Sequence, residues 1–261
     1  MALTIGDGSP PGESNVFEAA IHSFRQPRIG EEAVPFRVRT TLGERSLEGY
    51  RGRWLLLFSH PADFTPVCTS EFIVFARAHH TFQSMGCDLL GLSVDSLFAH
   101  LAWVRSIRDT FAIEIPFPIA EDLSMSIAQA YGMIHPGDTS TATVRGSFLI
   151  DPAGIVRMLS FYPMAIGRNV DEIIRTLAAL QENDASGLST PADWQPGEDG
   201  VLPPPATVQE ADARSSAGAP AWYFLPQPGK SQPGSASAGS PMDDPATSKS
   251  SKPKSSKASA R

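Results

Sequence analysis

Two stretches, WLLLFS (Trp54–Ser59) and DLLGLSVD (Asp88–Asp95), are apolar almost without interruption. Short continuous runs of this kind belong to β-strands covered on both faces. Between them Phe72, Phe75, Ala76, His79 and Phe82 recur at helical spacing, with Gly86 placed to end the helix. The pattern predicts a strand–helix–strand unit, and therefore a parallel strand pair joined by a right-handed crossover. A second amphipathic helix is expected from about Ser96, with Leu97, Leu101, Val104 and Ile107 as its apolar stripe. The runs VRGSFLI and IVRMLSF flank the turn DPAG (Asp151–Gly154) and read as an antiparallel hairpin. A last helix opens with Asn169 and Glu172 in capping-box spacing and carries Val170, Ile173, Ile174, Leu177 and Leu180 on one face. Together these elements predict an α/β sandwich, a mixed central sheet with helices on both sides.

The pattern fails at both ends. Residues 1–30 are rich in Gly, Pro and Ser and read as an irregular extension to a globular unit spanning 31–184. Residues 185–228 are proline-rich yet hold Trp194, Trp222, Tyr223 and Phe224, which need a surface to pack on, so they are expected to form an extended arm docked on this subunit or a partner. Residues 229–261 lack aromatic and β-branched apolar residues and have the composition of a disordered tail. Charge divides at the same point: all five lysines lie beyond residue 229, and the residues before it carry 15 arginines against 26 acids. An acidic globular part gives no footing for nucleic acid, and the dilute basic tail reads as a solvated segment. The opening residues lack a secretory pattern, no apolar run is long enough for a membrane span, and two cysteines are too few for a disulfide framework. The expectation is a soluble cytoplasmic protein.

Candidate chemistry centres on SHPADFTPVCTSEF (Ser59–Phe72). Thr65 followed by Pro66 reads as a helix start, a hydroxyl at the N-cap and a proline at the first helical position. Cys68 then falls in the first turn, where backbone N–H groups and the positive end of the helix dipole face its sulfur, at the carboxyl edge of the sheet. An ordinary thiol is only a few per cent thiolate at pH 7. The dipole supplies about 0.3–1 kcal/mol, at most ~2, so a reactive sulfur here needs a neighbouring cation, an arginine. Cys87, at the entry to a core strand, reads as a buried structural residue.

PADFTPVC resembles the Pro-x-x-x-Thr-x-x-Cys motif of peroxiredoxins at Pro61, Thr65 and Cys68. The segments LLGLSVDS, HLAW, Tyr162–Pro163, Gly167–Asn169, TPADW and VLPPP are similar to the one-cysteine, peroxiredoxin-six-like subfamily, the likeness covering roughly residues 30 to 228. The resemblance implies a thioredoxin-like fold with a C-terminal arm, and a peroxidase acting on hydrogen peroxide and alkyl hydroperoxides without metal or organic cofactor. It further implies that the Cys68 thiolate attacks the O–O bond and becomes a sulfenic acid, with Arg145 and Thr65 contacting the peroxide and Pro61 roofing the pocket. Glu71 would orient Arg145, His60 would lie near the sulfur in a supporting role, and Arg168 would take a second active-site or interface role. With no cysteine after Cys87, an external thiol (thioredoxin, glutaredoxin/glutathione or similar) would reduce the sulfenic acid, and a homodimer or higher homo-oligomer is expected. Arg53 occupies the place of the serine that some animal members use for a phospholipase activity, which is therefore not carried over. Two other readings compete: a cysteine hydrolase pairing Cys68 with His60, and a non-enzymatic redox sensor or holdase.

Overall fold

The computed structural model describes residues 26–134, 141–216 and 220–229, so most of the 1–30 extension and the tail from Lys230 onward lie outside the described residues. Seven strands form one sheet: β1 (Arg37–Thr40), β2 (Gly43–Ser46), β3 (Trp54–Ser59), β4 (Cys87–Ser93), β5 (Ile119–Glu121), β6 (Arg145–Ile150) and β7 (Val156–Tyr162), in the order β2-β1-β5-β4-β3-β6-β7. β3, β4 and β5 run parallel, and the β1–β5, β3–β6 and β6–β7 pairs are antiparallel. The expected mixed sheet is present, and the two continuous apolar runs are its central strands.

Strand β3 is apolar throughout because both of its faces are covered. Trp54, Leu56 and Phe58 face a core built with helix α1 (Pro66–Ser84), helix α2 (Leu97–Phe111) and helix α4 (Val170–Ser186). Leu55 and Leu57 face the opposite core, closed by helix α3 (Ser126–Ala130), Tyr131, Met133 and the Ala33–Tyr50 segment. Gly91 keeps β4 close to α1, since a Cβ there would meet the Phe72 ring at 3.1 Å. The crossover from β3 through α1 to β4 is the predicted strand–helix–strand unit, and Gly86, with φ 67°, follows the helix end.

Two local expectations are corrected. The buried face of α2 is His100, Trp103 and Ile107, while Leu101 is exposed. Two hydrogen bonds from the His100 ring and the bulk of Trp103 turn the helix away from the leucine stripe. At the start of α4 the Asn169 side chain accepts from the Glu172 N–H, but the Glu172 carboxylate turns forward to Arg175, so only half of the capping box forms. The β1–β2 hairpin, the short β5 and α3 carry too few periodic positions to announce themselves.

Beyond α4, which ends on Gly187 with φ 72°, the chain runs along the molecule. Trp194 packs against Ala178 and Ala179 of α4 and donates its ring N–H to the Glu198 carbonyl at 3.0 Å. Strand β8 (Gly200–Val201) pairs with β9 (Pro226–Gln227), with helix α5 (Val208–Ser216) between them. Trp222, Tyr223 and Phe224 stay exposed on this chain. Among the described residues no helix is long and apolar enough to cross a membrane.

Candidate active site

The parallel strands end at Ser59 and Ser93, and the loop from His60 to Thr65 leads from the first of these edges into α1. Thr65 stands at the N-cap with extended backbone and Pro66 follows at the first helical position. The Thr65 hydroxyl does not cap the helix, however; it donates back to the Ala62 carbonyl at 2.9 Å. Helix continuity comes instead from the Thr65 carbonyl, which accepts from the Thr69 N–H at 2.9 Å. The Thr65 side chain therefore leaves the Cys68 N–H uncapped.

Cys68 is the third helical residue and its side chain is fully buried. Arg145, the first residue of β6, reaches it from across the sheet: Nη1 donates to Cys68 Sγ at 3.4 Å and to Glu71 Oε2 at 2.7 Å. The same guanidinium is held from the other side by the Met164 carbonyl, which accepts from Nε at 3.0 Å and from Nη2 at 2.5 Å. Arg145 is 2% exposed on an interior strand, not the surface arginine of an edge strand. It sets a guanidinium against the sulfur, fixed in direction by Met164 and Glu71.

Glu71, one helical turn past the sulfur, gathers both arginines. Arg168 gives it the backbone N–H at 2.8 Å, Nε at 2.9 Å and Nη2 at 2.8 Å. Arg168 also donates to the Gly146 carbonyl and Ser147 Oγ, and its guanidinium lies over the Phe58 and Phe75 rings. Burial alone would raise the Glu71 carboxyl, but the two guanidiniums outweigh it and hold the group below its ordinary range. Burial likewise lowers Arg168 from its usual value, against the opposing pull of Glu71. With two guanidiniums against one carboxylate, the buried cluster carries one excess positive charge beside Cys68 Sγ.

Pro61 is buried in the loop that leads into α1. His60 is also fully buried, stacked on Trp103 with centroids 5.1 Å apart and edge-on to Phe72 at 4.8 Å. Its Nε2 bonds Asp63 Oδ1 at 2.8 Å, and no Cys68–His60 pair of the kind a cysteine hydrolase uses is formed. Asp63 Oδ2 meets His100 Nδ1 at 2.8 Å. His60, Asp63 and His100 bring three potential metal-ligating atoms within 4.8 Å, yet each carboxylate oxygen already holds a ring nitrogen at hydrogen-bonding distance. Nothing in a linear pattern marks Asp63 and His100, 37 positions apart, as partners. Met164 was equally invisible, since it contributes only a backbone carbonyl.

Cys87, fully buried, has its thiol pushed up to about 12 by burial, in keeping with the inert reading. Both cysteines are free. Arg53 forms an ion pair with Asp88, Nε to Oδ2 at 2.9 Å.

Comparison with known proteins bears on this arrangement directly. Residues 29–159 match the AhpC/TSA family, and residues 179–216 match the C-terminal domain of 1-Cys peroxiredoxin. Similar curated proteins include a peroxiredoxin of Thermoplasma volcanium, 50% identical over 75% of this chain and 96% of its own length. One of Aquifex aeolicus is 46% identical over 76% of this chain and 95% of its own. Among solved structures, the yeast mitochondrial 1-Cys peroxiredoxin, whose thiol is resolved through glutathione/thioredoxin systems, superposes with a TM-score of 0.68 at 35% identity, covering 77% of this chain and 99% of that one. A cysteine-to-serine mutant of peroxiredoxin 6 from Arenicola marina gives 0.65 at 33% identity, covering 71% and 88% of the two chains. A fold, a buried arginine-bound cysteine and relatives at this identity converge on one assignment: the chain belongs to the AhpC/TSA peroxiredoxins, thioredoxin-like thiol peroxidases that reduce peroxides at the expense of a thiol.

Proposed function

We propose that Cys68 is the attacking sulfur and that the enzyme works by a one-cysteine cycle. The observation that carries this reading is the single Arg145 nitrogen shared between Cys68 Sγ and Glu71. A guanidinium N–H aimed at sulfur favours the thiolate, the nucleophilic form. The thiolate attacks one oxygen of the hydroperoxide, an S–O bond forms and the O–O bond breaks. The leaving oxygen departs with the bonding pair and takes a proton to become water or an alcohol. Cys68, oxidised by two electrons, is left as a sulfenic acid.

Arg145 and the Cys68 N–H act as donors already in place where charge develops, so little reorganisation accompanies the reaction, and the Thr65 hydroxyl, whose hydrogen goes to the Ala62 carbonyl, offers its oxygen as an acceptor to the peroxide O–H. Pro61 shields the pocket from water. Glu71 and Arg168 position Arg145, and His60 supports the same wall. Cys87 stays buried and unreactive, so an external thiol attacks the sulfenic sulfur, releasing water and forming a mixed disulfide. A second thiol then frees Cys68. A dithiol protein of the thioredoxin type or glutathione with its glutaredoxin fits this role. The exposed Trp222, Tyr223 and Phe224 support a homodimer or larger homo-oligomer in which the arm meets a second copy.

The test is trapping of sulfenic acid with a dimedone probe after about one equivalent of hydrogen peroxide, read by peptide mass spectrometry. An adduct on Cys68 alone, absent in Cys68→Ser, is expected. A Cys68–Cys87 disulfide would overturn the one-cysteine cycle, and an unmodified Cys68 would overturn the assignment of the sulfur. Sedimentation as a stable monomer at micromolar concentration would refute the oligomer.

A further inference from the structure

A cavity of about 610 Å³ at the far end of α1 takes no part in the peroxide chemistry. It lies between the β1–β2 hairpin, the single turn Leu47–Tyr50, the last turns of α1 and the loop before β5. Asp88 and Leu89, near the start of β4, form part of its wall. The cavity therefore sits at the amino ends of the parallel strands, whereas Cys68 stands at their carboxyl ends. Gln83, also on the wall, is 15 positions along α1 from Cys68, roughly 22 Å at the helical rise.

Tyr50, only 9% exposed, lines this cavity, and its hydroxyl is buried without a hydrogen-bond partner. Burial pushes the phenol up to about 12, so the oxygen keeps its hydrogen and remains a donor at neutral pH. Arg45 and Asp88, both on the cavity wall, act on the phenol electrostatically, so the hydroxyl end of the ring is the part turned to this wall. The charges around it are unequally committed. Asp88 accepts from Arg53 Nε at 2.9 Å and from Gln83 Nε2 at 3.0 Å, and Glu44 pairs with Arg37. Burial lowers His79, which adds no charge at neutral pH. Arg45 Nη1 donates to the neighbouring Glu44 carbonyl, and among the described residues its guanidinium forms no ion pair. One cation without a counter-charge thus stands beside one unpaired phenol donor. The remaining wall, with Leu89, Phe117 and Pro118, is apolar.

We propose that this cavity binds a small organic monocarboxylate with an apolar body. The Arg45 guanidinium pairs with the carboxylate, the Tyr50 O–H donates to one of its oxygens, and the apolar body lies against Leu89, Phe117 and Pro118. A guanidinium fork matches the two oxygens of a carboxylate, and a buried donor without a partner calls for one. The volume and the balance of apolar wall to few polar groups are those of a small-molecule site. One uncommitted positive charge matches one negative charge, and the carboxylates of Glu44 and Asp88 on the same wall disfavour a more highly charged anion such as phosphate. The site does not depend on the reading of Cys68 as the attacking sulfur.

The probe is 4-fluorophenylacetate: ¹⁹F spectra titrate its binding to the full-length reduced protein, and ¹H–¹⁵N spectra map where it sits. Saturable binding in the millimolar range or tighter is expected, with shifts gathered at Arg45, Tyr50, His79 and Phe117 and absent at Cys68 and Arg145. Tyr50→Phe and Arg45→Gln should each weaken binding by roughly ten- to hundredfold, and the neutral 2-(4-fluorophenyl)ethanol should bind more weakly than the acid by the same order. Because the Tyr50 hydroxyl bonds to nothing, Tyr50→Phe should melt no lower than the wild type. A clear fall in its Tm would give the oxygen a protein partner and overturn the proposal. So would an absence of saturable binding up to about 10 mM, shifts centred on Cys68, equal binding of the alcohol, unchanged affinity in Tyr50→Phe, or displacement of the probe by equimolar inorganic phosphate. The titration involves no peroxide, so its failure is separable from failure of sulfenic acid to form at Cys68.

Discussion

Replacing Glu71 by Gln tests the charge balance on which the site depends. The Glu71 carboxylate sits at 2% side-chain exposure between Arg145 and Arg168 and accepts four N–H bonds between 2.7 and 2.9 Å. Glutamine fills the same space but presents an NH₂ in place of one oxygen. If its carbonyl keeps the Arg168 N–H and Nε, the NH₂ opposes Arg145 Nη1 and Arg168 Nη2, donor against donor. Two guanidiniums are then buried with no carboxylate between them. Breaking a buried ion pair by removing one partner costs about 3–5 kcal/mol. For a folded unit of this size that corresponds to a fall in Tm of about 6–20 °C. The variant should also react more slowly with peroxide, because Arg145 loses the support that aims it at the sulfur.

The acid side of the stability profile supplies an independent readout. The Glu71 carboxyl is lower in the folded protein than its ordinary value of 4.5. Its contribution is therefore complete above that value and is lost as pH falls through the folded one. The wild type should lose stability in that window, and Glu71→Gln should lose less, the remainder coming from Asp63, which is also lowered. Thermal melts from neutral to acid pH, with stopped-flow tryptophan fluorescence for the peroxide step, measure both effects. A variant that melts within about 2 °C of wild type, less than 1 kcal/mol, keeps the same acid slope and reacts at full rate would refute the reasoning.

Other residues separate chemistry from packing. With its thiol raised to about 12, Cys87 should resist iodoacetamide in the native protein while Cys68 reacts, and should label only after denaturation; comparable native labelling of both would contradict the burial argument. Because the Thr65 hydroxyl donates to Ala62 and caps nothing, Thr65→Val should cost about 1 kcal/mol or less in denaturant melts yet slow sulfenic acid formation clearly, whereas a large stability loss would restore the capping role. Trp194→Ala should cost about 3–5 kcal/mol locally and release the arm, seen as faster amide exchange over the segment after Gly187; unchanged exchange would show that the arm is held elsewhere.

Much of this protein is written in short-range sequence pattern. Continuous apolar runs fixed β3 and β4 as central strands, because a strand covered on both faces has no polar side to show. Helical spacing placed α1, and Thr65-Pro66 set its start closely enough to put Cys68 in the first turn. The two-faced core, the hairpin around Asp151–Gly154 and the Asn169 cap were legible for the same reason: each depends on residues a few positions apart. The resemblance around PADFTPVC then pointed to Arg145 and Glu71. What the chain could not show was any feature made by residues distant in sequence but joined by the sheet. The sharing of one Arg145 nitrogen between Cys68 and Glu71, the clamp by the Met164 carbonyl, and the second guanidinium of Arg168 on Glu71 all arise where β6, α1 and the loop before α4 converge. The rotation of α2 toward His100 and Trp103 came from a carboxylate 37 residues away. Apolar periodicity records which face is dry; only the tertiary structure decides which polar groups meet inside it, because a buried hydrogen bond is set by distance and direction and leaves no period in the chain.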